Sequence, residues 1–421
     1  MVLSMSFHIV SFGMRYIIYN MRILQINNVY DRLSTGKIVA DLHREYMERG
    51  MESYVSYARG PKVYQPHVQK FNWEFYAHVN KVRAYLTGIL YGGNFISTLR
   101  LFSQIKTIRP DIVHLHCIND DSVNIYWLLK YLKKKGIRTV VTEHAEFFHT
   151  GNCGHAYECS RWHNGCGKCP QIRSMKVLFD NTHIAWKKMM NAFDGFDKEK
   201  LRLTTVSPWL KSRAIQNPYF SRYDCTPVLN GIETDIFYRR ANDLSDRHNI
   251  GLSEKPVVMF VTSRFPANVK GSQHIMELAQ RMPDVDFLVL GEKGEVKDLP
   301  QNIKLLGRVY EREKMALYYS LSDATILVSK AETFSMPVAE SLCCGTPVVG
   351  FKAGGPESIC LEEYCKFVDY GNVDSLQQAL SYTLSQSFDR DKMSREAILK
   401  YSKKAMADGY IAVYNSLMRH A

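Results

Sequence analysis

Short apolar segments alternate with stretches of helical apolar spacing along almost the whole chain, and this alternation leaves few folds open. Arg22 to Asn28 has a strand pattern, and Thr35 to Arg49 then repeats Ile38, Leu42, Tyr46 and Met47 at helical spacing before Gly50. Met51 to Tyr57, Ile112 to His116 and Ile137 to Thr142 read as further strands, with a helix from about Ser122 to Lys135 before the last. Leu203 to Ser207 reads as the last strand of this first series. After the polar stretch Arg239 to Lys255 the alternation begins afresh. It runs through strand Val257–Thr262, a helix from Ser272, strands Val285–Leu290 and Ile303–Leu306, and a helix from Glu311. Strand Ala324–Val328, helix Met336–Cys343 and strand Pro347–Gly350 complete it. Strands joined by crossover helices pair in parallel and are covered on both faces. The expected class is therefore α/β, with two doubly wound Rossmann-like domains facing a cleft and ligands beyond the carboxyl ends of the strands.

At 421 residues the chain exceeds one ordinary core, and 46% hydrophobic with 23% charged residues is a folded composition. Residues 1–20 are read as an extension, since Arg15 interrupts their apolar run and no basic segment precedes it, unlike a signal peptide. Residues 21–207 form the first domain, on the acceptor side, and 208–400 the second. Residues 401–421 form a helix with Met406, Tyr410, Val413 and Leu417 on one face. No apolar run is long enough to span a bilayer. A net charge of +12 suits nucleic acid, anionic membrane or phosphorylated substrates. No aromatic-interleaved basic stretch or zinc-finger pattern is present, so nucleic acid is not an expected partner. The basic run Lys130 to Gly136 stands at a predicted helix end, where cations are favoured in any case; docking to anionic lipid is the alternative. Of ten cysteines, four lie between Cys153 and Cys169, which is not the framework of a small secreted scaffold and points to a reducing, cytoplasmic setting.

Two constellations carry chemistry. Glu332 and Glu340 stand eight residues apart across the start of a predicted helix, where the amides of Phe334, Ser335 and Met336 are unpaired donors for a phosphate or sugar oxygen. Carboxylates beside such an anion site make sense as acceptors from neutral hydroxyls; taken alone, two helical glutamates would be ordinary. Arg264, and Lys270 with Gly271 at a helix start, oppose the helix dipole and so call for a bound anion; solvated loop charges are the alternative. Ser34 to Lys37 is not a Walker A loop, because residue 31 is Asp and Ile38 replaces the metal-binding hydroxyl; Gly36 could still let a diphosphate approach. Thr142 to Glu146 places His144 at a strand end, able to hydrogen-bond a sugar hydroxyl or polarise a reacting group, or simply satisfied within the structure.

On these residues the chain resembles the retaining glycosyltransferases of family 4, which have the GT-B fold, from Met21 to its end. The E-x7-E segment Glu332 to Glu340 and Arg264 with Lys270-Gly271 carry the likeness, supported by Asn230-Gly231-Ile232 and Gly345-Thr346-Pro347. The resemblance implies that Arg264 and Lys270 hold the donor diphosphate without a divalent metal. It also implies that Glu332 contacts the donor sugar, Glu340 the ribose, that Gly36 faces the diphosphate and that His144 lies near the sugar. Two departures stand out: the family's His-Asp pair reads His144-Ala145, so any role of that aspartate is absent or passes to Glu143 or Glu146, and Phe334-Ser335-Met336 stands where a second glycine is common. For a double displacement, Glu332 and Glu146 are the candidate carboxylates. Gly151 to Pro170 resembles a segment of exopolysaccharide and capsule transferases, including those of colanic-acid type. Its Cys153, Cys159, Cys166 and Cys169 could grip a structural zinc; packed thiols or a disulfide are the alternatives. The likeness further implies a C-terminal helix crossing back to the first domain. It implies a hexose-type UDP- or GDP-sugar donor, and a saccharide or lipid-linked acceptor at the inner face of a bacterial membrane. A sugar-nucleotide epimerase, a phosphorylase-like enzyme and a non-catalytic scaffold are the competing readings.

Overall fold

The computed structural model describes residues 21–119, 122–241, 244–266, 271–296 and 298–419. The extension 1–20 and Lys270 lie outside the described residues. The chain forms two compact units, one ending at Val228 and rejoined from Met406, the other running from Leu229 to Ala405.

In the first unit, β1 (Arg22–Val29), β2 (Glu52–Arg59), β3 (Val68–Lys70), β4 (Ile112–Leu115), β5 (Arg138–Glu143), β6 (Leu201–Thr205) and β7 (Cys225–Pro227) form one sheet in the order β3-β2-β1-β4-β5-β6-β7. Every pairing is parallel. The chain moves outward from β1 to β3, then returns past β1 to β4, so the direction of winding switches between β1 and β4. Alternate side chains of one strand serve opposite cores. Leu24 and Ile26 pack with Leu101, Leu128 and Phe193, whereas Ile23 packs with Ile38, Leu42 and Tyr410. Residues 208–214 form a helix that packs with β7 onto β6, so the 208–228 stretch, assigned above to the second domain, belongs to the first unit.

The second unit holds β8 (Val257–Phe265), β9 (Asp286–Lys293), β10 (Ile303–Gly307), β11 (Ala324–Leu327), β12 (Val348–Phe351) and β13 (Cys365–Val368), in the order β10-β9-β8-β11-β12-β13. Here the switch lies between β8 and β11, which pair in parallel. Val258, Phe260, Phe287, Val289 and Ile326 bury one face against Ile275, Leu278, Leu376 and Leu380. β8 runs three residues beyond the expected Thr262, to Phe265, because Arg264 and Phe265 resume pairing with Glu292 and Lys293 after a register shift. Arg264 therefore sits on a strand end, not in a loop. Among the described residues no helix is long and apolar enough to cross a membrane.

Candidate functional site

In the second unit, Arg264 ends β8 with an exposed side chain, and Glu332 lies in the connection after β11, on the other side of the switch. The backbone of Glu332 is pinned on both sides: its N–H donates to Ala353 O at 2.9 Å and its carbonyl accepts from Gly355 N at 2.8 Å. Gly355 makes this possible, since a Cβ there would stand 2.3 Å from the carbonyl carbon of Thr333. Phe334 is buried, and Ser335 takes φ 81°, the left-handed region that favours glycine. The backbone thus adopts a glycine-like turn although a serine occupies it. The Ser335 side chain does not cap the helix Met336–Cys343, and its hydroxyl is buried without a hydrogen-bond partner. The first-turn amides of that helix consequently stay open to an oxygen ligand.

Glu340, two turns on, is buried at 7% exposure. Tyr319 Oη donates to its carboxylate at 3.2 Å, and an Arg312 nitrogen lies 3.7 Å away. Arg312 also pairs with Glu233 at 2.6 Å and lies over the ring of Phe237. Burial, with the Glu340 charge beside it, pushes the Tyr319 phenol well above its ordinary value, which keeps it a donor. Arg312 and Tyr319 escaped the sequence reading because no motif encodes them. It also missed a cavity of about 280 Å³ at the ends of β8, β9 and β10, lined by Thr262, Ser263, Gly291, Arg308, Met315 and Pro337.

In the first unit, His144 follows β5 and is buried, with Nε2 3.1 Å from His116 Nδ1. The His114 ring lies 3.8 Å from that of His116 between centroids, tilted by 34°. Burial lowers the His144 pKa to about 4, and burial with neighbouring histidines lowers His114 and His116 too, so all three are neutral near pH 7. Glu143 and Glu146 are not spare carboxylates. Glu143 accepts from His149 N and Nδ1, at 3.1 and 2.7 Å. Glu146 accepts from Arg213 Nε and Ala156 N, both at 2.6 Å. Each carboxylate is thus held in a buried network of hydrogen bonds. Gly36 is buried in the first turn of the helix Leu33–Glu48, where a Cβ would meet Val29 Cγ2 at 2.9 Å. Its lack of a side chain seats that helix on the end of β1. The preceding turn holds Asp31 and Leu33 at φ 50° and 56°.

Cys153, Cys159, Cys166 and Cys169 line one small cavity of about 10 Å³ with Trp162 and Pro170. All four are free thiols. A hydrogen bond joins Cys153 and Cys169, raising the former's pKa and lowering the latter's, and burial pushes Cys166 up to about 12. Among the described residues no group of three or more His, Cys, Asp or Glu side chains stands ready-made for a metal ion.

Two family models cover nearly all of this architecture. Glycosyltransferase Family 4 matches residues 35–236, and Glycosyl transferases group 1 matches residues 243–400. N-acetyl-alpha-D-glucosaminyl L-malate synthase of Bacillus anthracis is 24% identical over 47% of this chain and 55% of its own length. D-inositol 3-phosphate glycosyltransferase of Mycobacteroides abscessus is 29% identical over 30% of this chain and 31% of its own. The chain thus aligns with about half or less of these curated relatives. Among solved structures, sucrose-phosphate synthase from Thermosynechococcus elongatus matches with TM-score 0.70 at 15% identity, over 95% of this chain and 100% of that one. Anabaena HepE in complex with UDP matches with TM-score 0.63 at 15% identity, over 94% and 100%. Both share the two-domain fold of GT-B enzymes. With one family model on each of its parallel-sheet units, the chain belongs to the family 4 glycosyltransferases.

Proposed function

We propose that the chain is a retaining transferase that moves a hexose-type sugar from a UDP- or GDP-sugar to a saccharide acceptor, lipid-linked, in building a bacterial surface polysaccharide. One observation carries the donor half of this reading. At the β8–β11 switch an exposed arginine stands near the end of β8, and after β11 an uncapped helix start with the orphaned Ser335 hydroxyl lies in sequence between Glu332 and Glu340. Cation and amides suit a diphosphate, and the carboxylates suit sugar and ribose hydroxyls. The cavity beside Pro337 is the place for the base. HepE, of the same fold, was solved with UDP, which supports a uridine donor without choosing it over GDP.

In this mechanism Arg264, with Lys270, stabilises charge on the departing nucleoside diphosphate and stands in for a divalent metal. The amides of Phe334, Ser335 and Met336 hold donor oxygens, Glu332 orients the sugar and Glu340, steadied by Tyr319 and Arg312, takes the ribose. On the family resemblance, Gly36 and neutral His144 are taken as further donor contacts. With Glu146 engaged by Arg213, attack on the same face is favoured over a double displacement. The acceptor oxygen bonds to the anomeric carbon, the glycosidic phosphate bond breaks and the leaving phosphate takes the hydroxyl proton.

Arg264→Ala and Glu332→Gln should each lower acceptor-dependent nucleotide release by about 10²–10³-fold with melting temperature unchanged. Near-normal transfer by both variants defeats the assignment. Nucleotide release without acceptor would point to an epimerase, and dependence on inorganic phosphate to a phosphorylase.

The four thiols around one cavity favour a structural zinc held by Cys153, Cys159, Cys166 and Cys169. Zinc near one equivalent is expected in protein purified without a histidine tag, falling in Cys166→Ser. Less than a trace of zinc, with four titratable thiols or an intact disulfide by mass, rules the metal out.

A further inference from the structure

The helix Glu74–Thr87 presents an apolar stripe to the wrong side for a core. Its buried residues are Ala77, Asn80 and Ala84. Phe75, Val79, Val82 and Leu86 recur at i, i+4, i+7 and i+11 on the opposite face, at 80%, 47%, 59% and 50% exposure. The stripe continues onto its neighbours. Ile96 N–H meets Tyr76 Oη at 3.4 Å, which brings exposed Ile96 and Leu99 alongside. At the other end Leu178 N–H donates to Tyr85 O at 2.8 Å, adding exposed Leu178 and Phe179. Exposed large apolar side chains are concentrated here, more than a monomer in water tolerates without reason.

The rim of the stripe is cationic. Lys81 on the same helix and Lys176 before Leu178 are exposed, whereas Arg83 turns inward to Ile89 O at 3.4 Å and the Arg100 guanidinium is part-buried, 4.3 Å from the Trp73 ring centre. Of the acidic residues nearby, Glu74 is compensated by cations, whereas Asp180 keeps its charge and is held by neutral donors. Glu74 pairs with Arg59 at 2.7 Å and Lys70 at 2.8 Å, and Asp180 accepts from Cys169 N at 2.6 Å. A single apolar ridge edged by exposed lysines, with Trp73, Tyr76 and Tyr85 at its borders, has the anatomy of a helix lying in a bilayer interface.

We propose that this ridge, centred on Phe75, Val79, Val82 and Leu86, is the surface by which the protein docks on a membrane leaflet containing anionic lipid. The apolar residues enter the acyl boundary while the basic rim meets lipid phosphates, in keeping with the net charge of +12. It gives a location to the membrane contact that the lipid-linked acceptor requires, and rests on that reading only for its purpose, not for binding itself.

The test is sedimentation of the full chain with vesicles of phosphatidylcholine alone or mixed with phosphatidylglycerol, without donor or acceptor. Binding to the mixed vesicles is expected, weakened by salt, and at least about tenfold weaker in the triple variant Val79→Ser/Val82→Ser/Leu86→Ser. Trp73 is the one exposed tryptophan among the described residues, so its emission should shift to the blue on binding, and Trp73→Phe should lose the shift while still sedimenting. These side chains face solvent, so the triple variant should keep its melting temperature and its transfer to a water-soluble acceptor. Equal sedimentation of wild type and triple variant overturns the proposal. So does a wild-type dimer, seen by sedimentation velocity and lost in the triple variant, with no vesicle binding. Loss of transfer with vesicle binding intact would instead count against the proposed reaction alone.

Discussion

His149 is fully buried, and burial alone would hold it neutral; Glu143 and Glu146 override that and push its pKa up to about 9. Burial likewise opposes the charge on Glu146, but the His149 hydrogen bond and Arg213 hold its carboxyl at about 2. The consequence for stability has a definite sign. The raised His149 contributes fully below its unfolded value near 6.5 and loses that contribution as pH rises through about 9. The buried neutral His144 acts on the acid side: its contribution is present above 6.5 and is lost as pH falls towards about 4. Melting temperature should therefore fall on both sides of neutrality. His149→Gln should flatten the alkaline limb while lowering the plateau; an unchanged alkaline limb would show that the ion network is not its origin.

At the scale of elements, the two connections at the second switch point depend on backbones in close approach. Gly271 takes φ 75°, and a Cβ there would lie 2.3 Å from Val328 O, so the start of the helix Ser272–Arg281 sits directly on the segment after β11. Gly355 does the same for the segment that holds Glu332. Gly355→Ala must push Thr333 and Phe334 away, at a cost of about 1–3 kcal/mol. Calorimetry should show weaker UDP binding beyond what the lowered melting temperature explains, because the displaced atoms belong to the helix start. Full affinity in a destabilised variant would separate this helix start from the donor diphosphate. The strand and helix boundaries here were legible from apolar periodicity. The extension of β8 through Arg264 was not, because it follows from pairing with β9 across a bulge.

For the whole molecule, the last helix, Lys403–Met418, returns the chain to the first unit. Its expected face, Met406, Tyr410, Val413 and Leu417, is buried with Ile23, Ile38 and Leu42. A polar chain runs through this core. Tyr414 Oη meets Tyr46 Oη at 3.1 Å and His114 Nδ1 at 2.6 Å, and His114 Nε2 meets Thr142 Oγ1 at 2.7 Å. Tyr414→Phe leaves those partners buried without it and should cost about 1–3 kcal/mol, read as a lower urea midpoint at unchanged slope. A midpoint equal to wild type would mean that water or a rotated Tyr46 replaces the hydroxyl.

By itself the sequence determined the α/β class, the two parallel sheets, most strand ends and the apolar face of the last helix. All of these follow from local periodicity and crossover geometry. Tertiary structure decided which groups meet across long separations. It tied Glu146 to Arg213, brought the cysteines to one cavity and placed Arg312 and Tyr319 on Glu340. It also decided the fate of Phe75, Val79, Val82 and Leu86. A helical apolar repeat reads the same whether it faces a core or solvent, and only the packing of Ala77, Asn80 and Ala84 against the domain turned that ridge outward.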